Sequence, residues 1–164
     1  MEKQVSLLSR VVQFDRTFDA RSENGLVVGV VFQAVYPPSV QEKDAFRSAV
    51  DRISFRDAQN RPVEIVEIDA GGNLGENLDN AEVDILYVSR LQDVDLRQLT
   101  EVTRARGILT FSSQARYVEQ GLAVALEPSS SDQPILINLT AVDSEGSDFR
   151  PGLLKMANVI QRMP

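Results

Sequence analysis

The sequence predicts a single α/β domain over residues 1–164. Its core is a mostly parallel open sheet of about five to six strands, with helices on both faces and a C-terminal antiparallel hairpin. Three observations predict it. Short β-branched runs alternate with stretches of helical periodicity, the pattern of successive βαβ units. The run Leu26 to Val35 is almost continuously apolar, as a strand covered on both faces must be. The last two strand-like runs, Leu122 to Leu126 and Ile135 to Leu139, have no helix between them and therefore pair antiparallel. At 164 residues, 43% hydrophobic and 25% charged, the chain is long and apolar enough for one domain with its own core.

Residues 5 to 20 read as an amphipathic helix, with Leu7, Val11, Phe14 and Phe18 on one stripe and Arg10, Asp15, Arg16 and Asp19 at polar positions. Arg21 to Gly25 is a polar turn. Leu26 to Val35 reads as the central strand, ended by Tyr36-Pro37-Pro38-Ser39 because proline cannot donate to a ladder. Gln41 to Ser54 is a helix with Phe46, Ala49, Val50 and Ile53 inward, and Phe55 to Pro62 is a polar connection. Val63 to Ile68 alternates apolar residues with Glu64 and Glu67, the mark of a strand nearer the sheet edge. A loop from Asp69 to Gly75 precedes one helical turn, Glu76 to Ala81.

Val83 to Val88 is a third buried strand. Asp93 to Arg106 is a helix, with Asp93 and Asp95 in its first turn and Arg104 and Arg106 in its last, as the helix dipole favours. Gly107 closes it. Ile108 to Phe111 is a short buried strand, after which Ser112 or Ser113 caps a short helix that Gly121 stops. The loop Glu127 to Gln133 joins the hairpin strands, and Asp143 to Ser147 is a turn. A final helix runs from Phe149 to Met163, with Asp148 as cap and Pro151 in the first turn. The predicted strand order is 2-1-3-4 continued by the hairpin, a Rossmann/flavodoxin-like arrangement. Right-handed crossovers then put the switch point between the first and third strands.

Composition excludes several function classes. A net charge of −7 and a pI near 4.6 argue against nucleic-acid backbones and anionic lipid surfaces. The chain has no His and no Cys, which removes Cys nucleophiles, His bases, Ser-His-Asp triads and ordinary zinc sites. No catalytic residue, cofactor or metal is expected. No apolar run approaches the roughly 20 residues needed to cross a bilayer. Met1-Glu2-Lys3-Gln4 is not followed by the apolar segment of a signal peptide, and a leader removed earlier would leave the same start.

The candidate binding residues lie where open α/β sheets place ligands and partners, at the strand carboxyl ends. They are Tyr36 and Pro37 after the first strand, Ser89 and Arg90 after the third, and Phe111, Ser112, Ser113 and Tyr117 around the corner after the fourth. Other motifs read more simply as structure. Gly71-Gly72-Asn73-Leu74-Gly75 lacks the Lys-Ser/Thr of a phosphate loop, so a flexible turn fits better. Ser112-Ser113 lacks the flanking glycines and the histidine base of a nucleophile elbow. Asp143, Glu145 and Asp148 do not follow calcium-loop spacing and read as a solvated acidic turn. Asn138-Leu139-Thr140 matches a glycosylation sequon inside a predicted strand, where Asn138 is better used to tie its amide to a neighbouring loop.

Four stretches carry a family resemblance. Ile108-Leu109-Thr110-Phe111-Ser112, Gly121-Leu122-Ala123-Val124, Ile135-Leu136-Ile137-Asn138-Leu139 and the helix opening Phe149-Arg150-Pro151-Gly152-Leu153-Leu154-Lys155-Met156-Ala157 resemble successive motifs of the YfiR-like periplasmic regulators. The element order is similar over roughly residues 25 to 160. The resemblance implies an exported α/β domain. It further implies a non-enzymatic role, restraint of a membrane-bound diguanylate cyclase or sensor kinase through its periplasmic sensor region. Two departures stand out. The disulfide cysteines of the familiar member are absent, so disulfide redox control does not carry over. Tyr36-Pro37 replaces the early Trp-Pro.

The expectation is thus a periplasmic regulator working by protein–protein contact, with homo-oligomerisation possible and no membrane insertion. The alternative is a small-molecule (solute) binding module resembling half of a periplasmic receptor, with its ligand at the switch point. A carboxylate-dependent enzyme is the third reading and needs two acids converging in a cleft.

Overall fold

The computed structural model describes residues 1–127 and 134–161. In chain order the elements are α1 (Glu2–Gln13), α2 (Phe18–Arg21), β1 (Val27–Phe32), α3 (Pro37–Ile53), β2 (Glu64–Asp69), α4 (Leu74–Asp79), β3 (Ile85–Val88), α5 (Leu96–Arg106), β4 (Leu109–Ser112), α6 (Ala115–Glu119), β5 (Val124–Leu126), β6 (Ile135–Asn138), α7 (Leu139–Ser144), α8 (Pro151–Met156) and β7 (Asn158–Ile160). The strands form one sheet in the order β2-β1-β3-β4-β5-β6-β7. Every neighbouring pair is parallel except β5–β6, the predicted antiparallel hairpin.

Side chains alternate across the pleat and so build two cores. Val28, Val30, Ile85, Tyr87, Leu109, Phe111 and Ile137 meet α1, α3, α7 and α8 through Leu8, Phe46, Val142 and Leu153. Val31, Ile68, Leu86, Val88 and Ala125 meet α4, α5 and α6 through Leu78, Leu99 and Val118. Each fully buried Leu, Val or Phe contributes about 1.5–3 kcal/mol of transfer free energy. At Gly29 in β1 the pleat needs an absent side chain, because a Cβ there would stand 2.8 Å from Leu86 Cδ1 and 3.0 Å from Ile68 Cδ1. Gly107 adopts the left-handed C-cap of α5, as expected.

Seven expectations change. The predicted first helix is broken at residues 14–17, because Asp15 turns inward and forms an antiparallel bridge with Phe149. The inward stripe of α1 is Val5, Leu8, Val11 and Val12 rather than one through Leu7. β1 lies one strand from the edge and β4 takes the centre. β1 is apolar throughout because helices cover both faces there too. Pro37 and Pro38 are the first residues of α3 rather than a terminating loop, since a helix start needs no N–H from them. α5 starts at Leu96 with Asp95 as N-cap, and Asp93 lies outside it at φ 55°. Residues 139–144 form α7, capped by Asn138, before the expected turn. The last helix stops at Met156, after which the chain adds β7 alongside β6. Residues 128–133 of the hairpin loop and 162–163 of the predicted final helix lie outside the described residues.

The amino-terminal ends of the strands are gathered by Arg21, whose side chain is only 10% exposed. All five of its guanidinium hydrogens have acceptors: Thr17 Oγ1, the carbonyls of Asp84, Gly107 and Glu145, and Ser147 Oγ. Asp15 lies 3.6 Å away and accepts from Thr17 N, Thr17 Oγ1 and Ser147 Oγ. Burial lowers the Arg21 pKa, against the pull of Asp15, Glu145 and Asp84.

Glu145 corrects the reading of a solvated acidic turn. Asp143 and Asp148 are exposed, but Glu145 is fully buried. Its carboxyl accepts from Thr110 N at 3.0 Å and Thr110 Oγ1 at 2.7 Å. This fills a ladder position one residue before β4–β5 pairing begins at Phe111–Val124. Burial pushes its pKa up to about 8, opposed by the Thr110 bonds and by Arg104 and Arg21.

Candidate functional site

The site grows from α3. Its positions 42 and 46 share one face, so Phe46 stacks on the buried Tyr87 ring with centroids 4.3 Å apart, while Glu42 stands one turn above. A tyrosine hydroxyl at the top of a buried strand needs a polar partner. Tyr87 donates to Glu42 Oε2 at 2.9 Å. Ser113 Oγ donates to the same oxygen at 3.1 Å, and Arg90 N donates to Oε1 at 3.3 Å. The Arg90 guanidinium reaches Oε1 only at 3.8 Å through Nε. The Glu42 side chain is 9% exposed and that of Arg90 54%. Burial first, and then the Glu42 carboxylate, raise the Tyr87 pKa well above the ordinary phenol value.

A second set of bonds fixes the two switch-point loops. Ser89 Oγ donates to Val31 O at 2.6 Å, which leaves the Ser39 hydroxyl as donor across the 2.9 Å contact between Ser39 and Ser89. Ser39 Oγ also accepts from Gln33 N. The Gln33 amide brackets Gln92, donating to its carbonyl and accepting from its N–H. The Tyr117 hydroxyl accepts from Leu91 N at 2.9 Å, and the Arg116 guanidinium lies over its ring.

The structure therefore brings together some of the expected residues and buries others. Tyr36 is half-buried, Pro37 exposed and Arg90 exposed, all at the strand carboxyl ends. Ser113 joins them through Glu42. Ser89 is buried and braces the β1 and β3 loops. Ser112 is buried too; it donates to Val88 O and accepts from Gln114 N, so neither serine is the helix cap, a position that falls to Gln114. Phe111 is fully buried and Tyr117 is 5% exposed, in cores on opposite faces of the sheet. Neither presents a ring to a partner: the pleat of β4 turns Phe111 inward, and Tyr117 lies on the buried face of α6. Asn138 is buried, its amide donating to Val118 O in α6.

Two residues were missed by sequence reasoning. Glu42 looked like an ordinary polar helix position; the signal was Tyr87, a hydroxyl inside an otherwise apolar strand. Val35 looked like the end of a strand, yet it lies in the loop and is 86% exposed.

Between α3, the β3 loop and the β4–α6 corner lies an open cavity of about 380 Å³. Glu42, Arg90 and Ser113 line it together with Met1, Gln4, Pro38, Gln41 and Gln114. A wider groove of about 830 Å³ between α1 and α3 is lined by Glu2, Lys3, Ser48 and Arg52 among others, with Glu2 and Arg52 paired at 3.4 Å. Among the described residues no group of three or more acidic side chains is placed to hold a metal ion. No helix among them is long and apolar enough to cross a membrane.

The family model described as YfiR/HmsC-like matches residues 19–158. Solved structures share the fold. The ABC domain in complex with L-Trp from Streptococcus pneumonia aligns with a TM-score of 0.62 at 13% identity, over 93% of this chain and 60% of that one. A conserved domain protein from Vibrio cholerae O1 biovar El Tor aligns with a TM-score of 0.62 at 13% identity, over 96% of this chain and 59% of that one. The chain thus spans about 60% of the length of these solved chains. Identity this low shows a common α/β fold and nothing of ligand or partner. No curated protein sequence matches the chain.

Proposed function

This chain belongs to the YfiR/HmsC-like family, and on that premise we propose that it is a non-enzymatic periplasmic regulator of cyclic di-GMP signalling. It would bind the periplasmic sensor region of a membrane signalling protein, a diguanylate cyclase or a sensor kinase, and hold it in one conformation. Only a difference in affinity between two conformations can shift such an equilibrium. Family membership is the observation that carries the reading. The contact surface we propose is the strand-end tip. There Val35, Tyr36 and Pro37 offer apolar area beside the exposed Arg90, on loops that Ser39, Ser89 and Gln33 hold rigid. Rigid loops keep down the entropy lost on docking. The absence of cysteine leaves this restraint without a disulfide switch.

The experiment is a deletion strain complemented with wild type or with Val35→Asp, scored for cyclic di-GMP and for periplasmic crosslinking from a photo-reactive residue at position 36. Wild type is expected to restore the parental level and to crosslink a membrane signalling protein. Val35→Asp, folded and exported, is expected to do neither. An unchanged cyclic di-GMP level on deletion, with no membrane crosslink, overturns the proposal.

A further inference from the structure

We propose that Glu145 and Arg104 form a proton-operated latch. With its carboxyl protonated, Glu145 closes the β4–β5 seam through Thr110; once ionised, it turns to the guanidinium of Arg104. The latch lies at the amino-terminal ends of the strands and needs no partner or ligand.

The hydrogen-bond inventory carries it. Glu145 follows α7 as its C-cap and is fully buried. A buried carboxylate needs a charged partner or several donors to stay ionised. The two donors on this carboxyl, Thr110 N and Thr110 Oγ1, are both neutral. The charged groups that face it are Arg104 of α5 and Arg21 of α2, while Asp15 and Asp84 bear on Arg21. Arg21 is already committed. Its five N–H groups serve other acceptors, and the one it gives to Glu145 goes to the backbone carbonyl rather than the carboxyl. The neutral acid is therefore the form that suits this arrangement.

Arg104 holds the second state in reserve. Its Nη2 donates to Gly121 O at 3.3 Å, while its Nε is buried without a hydrogen-bond partner. A buried N–H left unpaired calls for an explanation, and a vacant charged donor facing a buried acid supplies one. When the proton leaves, a charge-assisted bond to Arg104 is stronger than the neutral bonds to Thr110. The move opens the seam. Thr110 Oγ1 accepts from Ala123 N at 2.8 Å, so Glu145, Thr110 and Ala123 form one chain of bonds across β4 and β5. That chain stands just ahead of the first paired residues, Phe111 and Val124. Ionisation thus loosens the start of β4–β5 pairing and ties α7 to the end of α5. Each state is hydrogen-bonded, so the proton selects a partner rather than only removing stability.

The test is a carbon-detected NMR titration of the folded chain from about pH 6 to about pH 9, following Glu145 Cδ, Arg104 Nε and the amides of Thr110 and Ala123. Glu145 Cδ is expected to titrate with a midpoint of about 8. Arg104 Nε is expected to shift with the same midpoint. Over the same range, hydrogen exchange at Thr110 and Ala123 is expected to speed up relative to intrinsic rates. In Glu145→Gln the Arg104 Nε signal is expected to stay flat. In Arg104→Gln the Glu145 midpoint is expected to rise by about one pH unit or more, because the ionised form has lost its cation. Arg104→Lys keeps a cation without the Nε donor and is expected to fall between. The wild-type titration decides the matter even where a variant fails to fold. A Glu145 signal already ionised at the start of the titration, a flat Arg104 Nε signal in wild type, or an unmoved midpoint in folded Arg104→Gln overturns the proposal.

Discussion

Glu145 makes the stability of this fold depend on pH in a direction opposite to that of most carboxylates. Its carboxyl is fully buried against Thr110, with a pKa near 8 in the folded chain against an ordinary value of 4.5. Between those values the folded state keeps a proton that the unfolded state has released. Stability from this group is therefore complete below about pH 4.5, falls as pH rises, and is lost above about pH 8. The slope is about 1.4 kcal/mol per pH unit for one proton. From pH 5.5 to 7.5 that amounts to about 2.7 kcal/mol. Glu145→Gln keeps a neutral group of the same shape and cannot release a proton. The assay is urea unfolding of both proteins across this range. The difference between them is the informative quantity, since Asp84, whose pKa burial also raises, titrates in both. Wild type is expected to lose about 2–3 kcal/mol relative to the variant as pH rises from 5.5 to 7.5, equivalent to about 5–10 °C in Tm for a domain this size. Parallel stability curves would refute the reasoning and place Glu145 in contact with water.

Other perturbations follow from the same geometry. Gly29→Ala drives a Cβ to 2.8 Å from Leu86 Cδ1 and is expected to cost about 1–3 kcal/mol in chemical denaturation, with an unchanged m-value. Arg21→Met strips five acceptors of their donor and leaves Asp15 buried without its cation, for a loss of about 3–5 kcal/mol; Arg21→Lys, with three donors, should recover only part of it. Tyr117→Phe leaves Leu91 N without its buried acceptor and is expected to cost about 1–3 kcal/mol, with faster hydrogen exchange at Leu91. Phe111→Ala is expected to destabilise by about 3–5 kcal/mol through the core, so weakened partner binding by that variant should track its unfolded fraction.

Much of this protein was settled by its sequence alone. The spacing of apolar residues determines which segments are strands and which are helices, and the lack of a helix between residues 122 and 139 determines the antiparallel hairpin. The expected strand order β2-β1-β3-β4 is the one observed, and right-handed crossovers, a property of L-amino acids, place its switch point between β1 and β3. Missing histidine and cysteine closed whole classes of chemistry before any contact was known. Local signals were less decisive where tertiary partners compete with them. Leu153, Ala157 and Ile160 share a helical face in sequence, yet β6 offers a free edge and Asn158–Ile160 become a strand. Glu145 is polar by type, yet Thr110 gives it a reason to be buried. Phe111 and Tyr117 read as surface aromatics until the pleat of β4 and the packing of α6 turned them inward to opposite cores. Of the site, Arg90 and Ser113 were legible in the sequence as strand-end residues, while Glu42 and Tyr87 join them only in the tertiary structure. Glu42, the Tyr87–Arg90 stretch and Ser113 lie on three separate segments, and a charge becomes a site only when the fold decides which other charges and donors it faces.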